Sequence, residues 1–396
     1  MAGKIPMGKK ELLRGKLMAM VEEGKMTLKE AGKRLGISYR QVKRIKASYK
    51  KNGDAGLVHG SSGKKSNRQI SDEIREKVIK TYQGRYSDFG PTFAAEKLLE
   101  VEGVKISAET LRKWLLKEGL WERQRKASGH RSRRERKKCF GDLIQIDGSH
   151  HRWFEERGVK CCLMNMVDDA TGITFSILFD EETIEAAMGV LRGWIERYGI
   201  PKALYCDHKN CYIIDREATE DELRRGITKP KTHFQIACEK LGIEVIPAGS
   251  PQAKGRVERN HGVYQDRFVK ELRLAGISTI AAANRFLQDD YLPKINAKFA
   301  TAPKEAVDSH VPLMGIELGE IFVYQYDRVV ANDYVIRFET RQFQILNTNK
   351  ERPRPKDRVL IHKKVDGEIK ILWKNKPLKI REIIVEEVGN PEPLTA

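Results

Sequence analysis

Gly141-Asp142-Leu143-Ile144-Gln145-Ile146-Asp147-Gly148-Ser149 decides how this chain is read. Leu143, Gln145 and Asp147 fall on one face and Asp142, Ile144 and Ile146 on the other, which is the period of a β-strand. Gly148 is expected to end the strand and leave Asp147 exposed at its tip. Taken alone, such an aspartate is most simply a solvated turn residue. Its meaning depends on whether other carboxylates fold to the same place.

Downstream, Cys161 to Val167 and Ile173 to Phe179 read as two further strands joined through Asp168-Asp169-Ala170-Thr171-Gly172, a turn-rich set that makes a hairpin. Asp168 and Asp169 are accounted for as turn carboxylates. A helical pattern from Thr183 to Tyr198 leads to a short strand, Lys202 to Cys206, which delivers Asp207 to a second strand end. A helix from Phe234 to Leu241, a strand from Ile243 to Ile246 and a helix from Ala253 to Leu274 bearing Glu258 complete the order. Three strands followed by alternating helices and strands is the order of a ribonuclease-H-like α/β core with a mixed sheet. In that fold the strands carrying Asp147 and Asp207 are neighbours and the Glu258 helix crosses beside them. Convergent carboxylates suit Mg²⁺, a hard cation that prefers oxygen ligands and completes its shell with water and phosphate. Two such ions would serve an in-line displacement at phosphorus.

The runs Gln145-Ile146-Asp147-Gly148-Ser149, with His151, Trp153 and Phe154 after it, Val167 to Gly172, Tyr205-Cys206-Asp207 and Ser250-Pro251-Gln252-Ala253-Lys254-Gly255-Arg256-Val257-Glu258-Arg259 together resemble bacterial insertion-sequence transposases of the DDE class. The nearest group is the ISNCY type, related to retroviral integrases, and the resemblance spans roughly residues 10 to 310. It implies Asp147, Asp207 and Glu258 as the catalytic, metal-binding triad, with Mg²⁺ as cofactor and Mn²⁺ able to substitute. One departure is visible. Fifty residues separate Asp207 from Glu258, more than is usual in related integrases, and the excess maps to the polar stretch Asp215 to Lys231, read as a surface insertion.

Side chains around the triad carry a second set of expectations. His150, His151, His208 and His261 lie near triad members in sequence; no HExxH is present, so His151, His208 and His261 are expected to hydrogen-bond ligands or substrate rather than hold zinc. Lys254, Arg256 and Arg259 flank Glu258 and are expected to contact the phosphates beside the cleaved bond. The bland alternative for all three is a solvated helix face.

Upstream, residues 27 to 46 read as helix, tight turn and helix. Thr27 with Glu30, and Ser38 with Gln41, stand in capping positions, and Gly36 closes the first helix. The second helix buries Val42 and Ile45 and exposes Tyr39, Arg40, Lys43 and Arg44, a basic, donor-rich face suited to the major groove. A second unit has Ser71, Pro91 and Ser107 at helix starts. Its reader face, Glu109, Thr110, Arg112 and Lys113, is less basic, so a protein-contact or structural role is nearly as well supported. Residues 121 to 138 hold nine Lys/Arg and two Glu and read as a basic linker contacting phosphates without sequence preference.

The expected organisation is therefore multidomain α+β. A first helix-turn-helix domain (1–52), a linker (53–69), a second helix-turn-helix domain (70–120) and the basic linker (121–138) precede the ribonuclease-H-like catalytic domain (139–310). Five short strands, Tyr334 to Phe338, Arg341 to Ile345, Arg358 to His362, Glu368 to Trp373 and Leu378 to Ile384, suggest a small β-barrel over 320–388. The segment Tyr291 to Pro303 reads as turn-like.

A net charge of +19, from 74 Lys+Arg against 55 Asp+Glu, points to a polyanionic partner, because phosphate neutralisation releases counterions. Double-stranded DNA, both element ends and target, is the expected partner. No window has membrane-span character and Met1 to Lys10 lacks an apolar signal core, so no membrane partner is expected and the cytoplasm, with nucleoid association on DNA, is the expected location. The six cysteines form no CxxC pair and are expected as free, mostly buried thiols. The functional expectation is a transposase that binds terminal inverted repeats, hydrolyses a phosphodiester at the element end and transfers the freed 3′-hydroxyl into target DNA, acting as a homo-oligomer. The competing class is a non-catalytic DNA-binding regulator descended from such an enzyme.

Overall fold

Helices α1 (Lys9–Glu22), α2 (Leu28–Leu35) and α3 (Tyr39–Asn52) close around Leu17, Met18, Val21, Met26, Ala31, Val42 and Leu57. The Thr27 hydroxyl and Glu30 carboxylate cap one another's backbone at the start of α2, and Gly36 at φ 64° ends it in the left-handed region that a side chain disfavours. Ser38 Oγ accepts from Gln41 N at 3.3 Å to start α3. The sequence reading began at Thr27 and did not include α1. That helix repeats its apolar positions weakly, yet Leu17, Met18 and Val21 are three of the seven buried residues in the core that makes the helix pair a unit. A 3₁₀ turn, Gly53–Leu57, buries Leu57 in the same core, so the packing continues past residue 52.

The computed structural model describes residues 7–59, 70–123, 135–249, 254–364 and 367–383. Residues 60–69 of the first linker, most of the basic linker (124–134), the Ser250-Pro251-Gln252-Ala253 part of the signature and the end of the last expected strand lie outside the described residues. The chain divides into two compact units, residues 1–87 with 97–120 and residues 88–96 with 121–396. Helices α4 (Asp72–Arg85), α5 (Pro91–Glu100) and α6 (Ala108–Lys117) begin where the sequence places them, with Ser71 and Ser107 accepting from the backbone three residues on.

The second unit is built on one mixed sheet. Strands β1 (Ile144–His151), β2 (Cys161–Asp168) and β3 (Thr174–Phe179) are antiparallel. Helix α7 (Ile184–Tyr198) returns the chain to β4 (Ala203–Cys206), which runs parallel to β1, and a parallel β5 (Glu244–Pro247) follows. The order is β3-β2-β1-β4-β5. Between β4 and β5 lie a short exposed helix, α8 (Glu220–Arg224), inside the expected insertion, and α9 (His233–Lys240). Helix α10 (Gly255–Leu274) packs on the sheet face that carries Gln145, Ser149, Asn165, Thr174 and Ser176, while α7 covers the face of Phe175, Ile177 and Phe179.

Two local expectations are corrected. Gly148 does not end β1; the strand continues to His151, with Gly148 opposite Met164. The glycine is there because Glu182 packs where its Cβ would stand, 2.5 Å from that carboxyl carbon. Most of the segment read as turn-like is helical: α12 (Leu292–Phe299) runs on from α11 (Ile280–Phe286) and a π-helical turn (Leu287–Tyr291), and only residues 300–303 leave the helix. Their amides cover the open edge of β3. Asn296 pairs with both backbone groups of Thr174 at 2.8 Å, Asn284 with both of Leu178, and Gln288 donates to Ser176 O.

After a single helical turn, α13 (Leu318–Ile321), the chain forms β6 (Val323–Val329), β7 (Val335–Phe338), β8 (Arg341–Ile345), β9 (Arg358–Lys364), β10 (Ile369–Trp373), β11 (Lys376–Pro377) and β12 (Ile380–Ile383). The barrel expectation is corrected as well: among the described residues these make two open sheets, β11-β10-β9-β6 and β12-β8-β7, around Val330, Ile336, Phe338, Phe343, Ile345, Val359, Ile361 and Ile371. No ladder joins β6 to β7, because the chain between them switches sheets, and β11 is two residues long with a proline that cannot donate.

Candidate metal centre and nucleic-acid interface

Burial of Ile144 and Ile146 on the α7 side sends Gln145 and Asp147 toward α10. The parallel register pairs Ile144 with Leu204 and Gln145 with Tyr205, so two residues further on Asp147 stands beside Asp207. Asp147, Asp207 and Glu258 line one cleft of about 480 Å³ together with His208, Lys209, Ala248, Gly249 and Lys254. A carboxylate from the middle of β1, one just past the end of β4 and one from the first turn of α10 are thereby brought to one opening. Burial raises the Asp147 carboxyl above its ordinary range, against the nearby Lys254 charge that lowers it.

Lys254 stands between the aspartates. Its ammonium is 2.9 Å from Asp147 Oδ1 and 2.7 Å from Asp207 Oδ1, and the side chain is only 3% exposed. The donor set thus already holds a cation, and an all-oxygen set of three carboxylates opening to solvent fits Mg²⁺ or Mn²⁺. Glu182 and Lys209, which the sequence reading missed, extend the array. Lys209 Nζ lies 2.7 Å from the buried Glu182 carboxylate, which also accepts from Tyr212 Oη at 3.0 Å. Lys209 follows Asp207 by two residues and was within reach of inspection; nothing in the sequence around Glu182 marks it. His150, Cys162 and Glu182 bring ligand atoms within 4.8 Å of one another. Glu182 is nevertheless committed to Lys209 and Tyr212, and burial pushes the Cys162 thiol up to about 12.

A buried hydrogen-bond chain ties the triad elements together. Gln145 Oε1 accepts from Val257 N at 3.2 Å, one residue before Glu258, and Gln145 Nε2 donates to Asp169 Oδ1 at 3.0 Å. Arg256 Nε donates to the same Asp169 oxygen at 2.6 Å. Asp169 is fully buried, and Asp168 takes Gly141 N, Thr171 N and the Thr171 hydroxyl. The two aspartates lie at the β2–β3 turn as expected, and their carboxylates are buried internal fasteners. Arg256 is directed inward to Asp169 and Lys254 to the triad aspartates, away from the phosphate contacts expected of them. Arg259 is exposed, with its Nε on Gly255 O of its own helix.

Of the histidines, His261 is buried with Nδ1 3.9 Å from Asp147 Oδ2, and burial holds it neutral, its pKa pushed down to about 4. His208 lines the cleft and pairs with Asp215 at 3.0 Å. His151 lies further along β1 against the Trp153 ring, at 5.2 Å, and is not among the cleft residues.

In the first unit Tyr39, Arg40, Lys43 and Arg44 are all exposed on α3, with the Lys43 ammonium 5.2 Å from the Tyr39 ring centre. On α6 Arg112 is paired with Glu109, and Lys113 lines a shallow recess with Asp72, Arg75 and Trp114. The cysteines are free, and all but the half-buried Cys211 are buried. Among the described residues no helix is long and apolar enough to cross a membrane.

Residues 13–65 match a family described as a helix-turn-helix domain. A putative transposase, y4bF, of Sinorhizobium fredii is 34% identical over 382 residues, covering 96% of this chain and 82% of that protein. The transposase for insertion sequence IS1202 of Streptococcus pneumoniae is 30% identical, covering 93% of this chain and 85% of that protein. Among solved structures, the integrase catalytic core of HTLV-2 in complex with magnesium aligns over 37% of this chain and 82% of its own, at 19% identity and a TM-score of 0.29. With a helix-turn-helix domain at its N-terminal end and 34% and 30% identity to two transposases over more than nine-tenths of its length, this chain belongs to the bacterial insertion-sequence transposases.

Proposed function

We propose that this transposase cuts and joins DNA at the cleft of Asp147, Asp207 and Glu258, with Mg²⁺, or Mn²⁺ in its place, held by those three carboxylates. The observation that carries the reading is the buried Lys254 ammonium between Asp147 and Asp207: two side-by-side aspartates require a cation, and the cleft that holds it is open to a nucleic-acid strand. The bound metal supplies positive charge to an attacking oxygen and to the leaving oxygen of an in-line displacement. The chain's own residues set the frame. Gln145, Asp169 and Arg256 hold the start of α10 against β1, Glu182 orients Lys209 toward the aspartates, and neutral His261 leaves the negative charge of Asp147 uncompensated on that side. The exposed basic face of α3 enters the major groove of the terminal inverted repeats, and the positive net charge contributes phosphate contacts. Hydrolysis frees a 3′-hydroxyl at the element end, which then attacks a phosphodiester of target DNA, joining to the phosphate and displacing the target's own 3′-oxygen as a hydroxyl. Two ends must be held at once, so the acting form is a homo-oligomer.

Incubation of labelled element-end DNA with Mg²⁺, wild type against Asp147→Asn, tests this. Both proteins are expected to bind the DNA and only the wild type to nick it. Binding by both with nicking by neither would leave a DNA-binding regulator and overturn the catalytic reading.

A further inference from the structure

Lys254 occupies the N-cap of α10, four residues before Glu258, and reaches back into the sheet with a flexible four-carbon stem. Its Nζ takes one oxygen from each aspartate. A divalent ion binding those oxygens competes with the ammonium for the same lone pairs and repels its charge. Lys254 is thus in the position of a resident cation that any metal must replace. Its stem is tethered at the cleft wall, so the displaced ammonium stays within the opening lined by His208, Lys209 and Gly249.

We propose that Lys254 is an exchangeable counter-ion: metal displaces it from Asp147 and Asp207, and the released ammonium takes a phosphate oxygen of DNA entering the cleft, so metal and DNA bind cooperatively. The inference rests on the reading of the aspartates as metal ligands. By linkage, whatever factor DNA adds to metal affinity, metal adds to DNA affinity. Lys254 therefore lowers metal affinity in the absence of DNA and restores it in its presence.

The test is titration of Mn²⁺ alone into the full chain, read by the electron paramagnetic resonance of free Mn²⁺ and by thermal unfolding, with and without a short DNA duplex. In the absence of DNA, Lys254→Met is expected to bind Mn²⁺ about tenfold more tightly than wild type, and Mn²⁺ is expected to raise its unfolding temperature by more. Adding duplex is expected to tighten Mn²⁺ binding in wild type and not in Lys254→Met. Lys254→Gln, which keeps a hydrogen-bonding side chain without the charge, is expected to follow Lys254→Met and serves if the latter unfolds without metal. Equal or weaker Mn²⁺ affinity in a folded Lys254 variant overturns the exchange. If Asp147→Asn binds Mn²⁺ as wild type does, the aspartates are not the metal site and the underlying reading falls with it. If Asp147→Asn loses Mn²⁺ while both Lys254 variants match wild type, only the exchange falls.

Discussion

Gly148 shows how one missing side chain serves a site. An added Cβ would meet the Glu182 carboxyl at 2.5 Å, and that carboxylate holds Lys209 at the wall of the cleft. Gly148→Ala is expected to displace Glu182 and destabilise the second unit by about 2 kcal/mol, measured by urea unfolding, while sharply reducing nicking. Retained stability and nicking would show that Glu182 moves aside freely. Arg256→Met leaves the Asp169 carboxylate buried without its guanidinium and is expected to cost about 3 kcal/mol. An unchanged unfolding midpoint would place Arg256 back on the surface, as the sequence suggested. At this scale the candidate triad was legible through the family resemblance and the order of strands and helices, although the strand-end reading of Asp147 fails, since β1 continues to His151. The carboxylate partners that Lys254 and Arg256 have in the DNA-free protein were not legible, because a charge does not announce its partner and theirs lie on other elements.

Among elements, the sheet of the core and its helices were readable from period and punctuation. What was not readable was the use of side chains across elements. The stretch after Tyr291 was read as turn-like around Asn296 and Phe299, yet Pro293 lies just past the π-helical turn in a helical run that continues through α12. Asn296 spends its amide on the edge of β3. Asn296→Ala is expected to cost about 2 kcal/mol through two unpaired backbone groups. It should also raise amide exchange at Thr174, which hydrogen-exchange mass spectrometry would register. On α3, alanine at Arg40, Lys43 and Arg44 together is expected to weaken DNA binding and to flatten its dependence on salt in a filter-binding or anisotropy series. An unchanged salt slope would mean that α3 lies off the duplex.

For the whole molecule, charge and composition indicated DNA, but the closure of the C-terminal strands was beyond reach. Five alternating runs are compatible with a barrel or with two open sheets, and the difference is one ladder that no local pattern encodes. That domain also carries a pH dependence. Burial lowers the pKa of His362 below its usual 6.5, with Lys240 and Lys370 adding to the effect and Glu320 opposing it. The unfolded chain therefore takes up the proton first as pH falls, and stability is lost as pH drops through that value. His362→Gln is expected to flatten the acid limb of the unfolding midpoint between roughly pH 7 and 5; an unchanged limb would mean that another group carries it.

The α10 that supplies Glu258 and Lys254 comes late in the chain, after both aspartate strands. Protein synthesis runs from the N-terminus, so a ribosome that has reached the end of β5 has made the DNA-reading helices and both aspartates but neither the third carboxylate nor the lysine that neutralises the first two. On the proposed assignment, an abortive translation product of that length carries the helix-turn-helix pair and lacks a complete metal site.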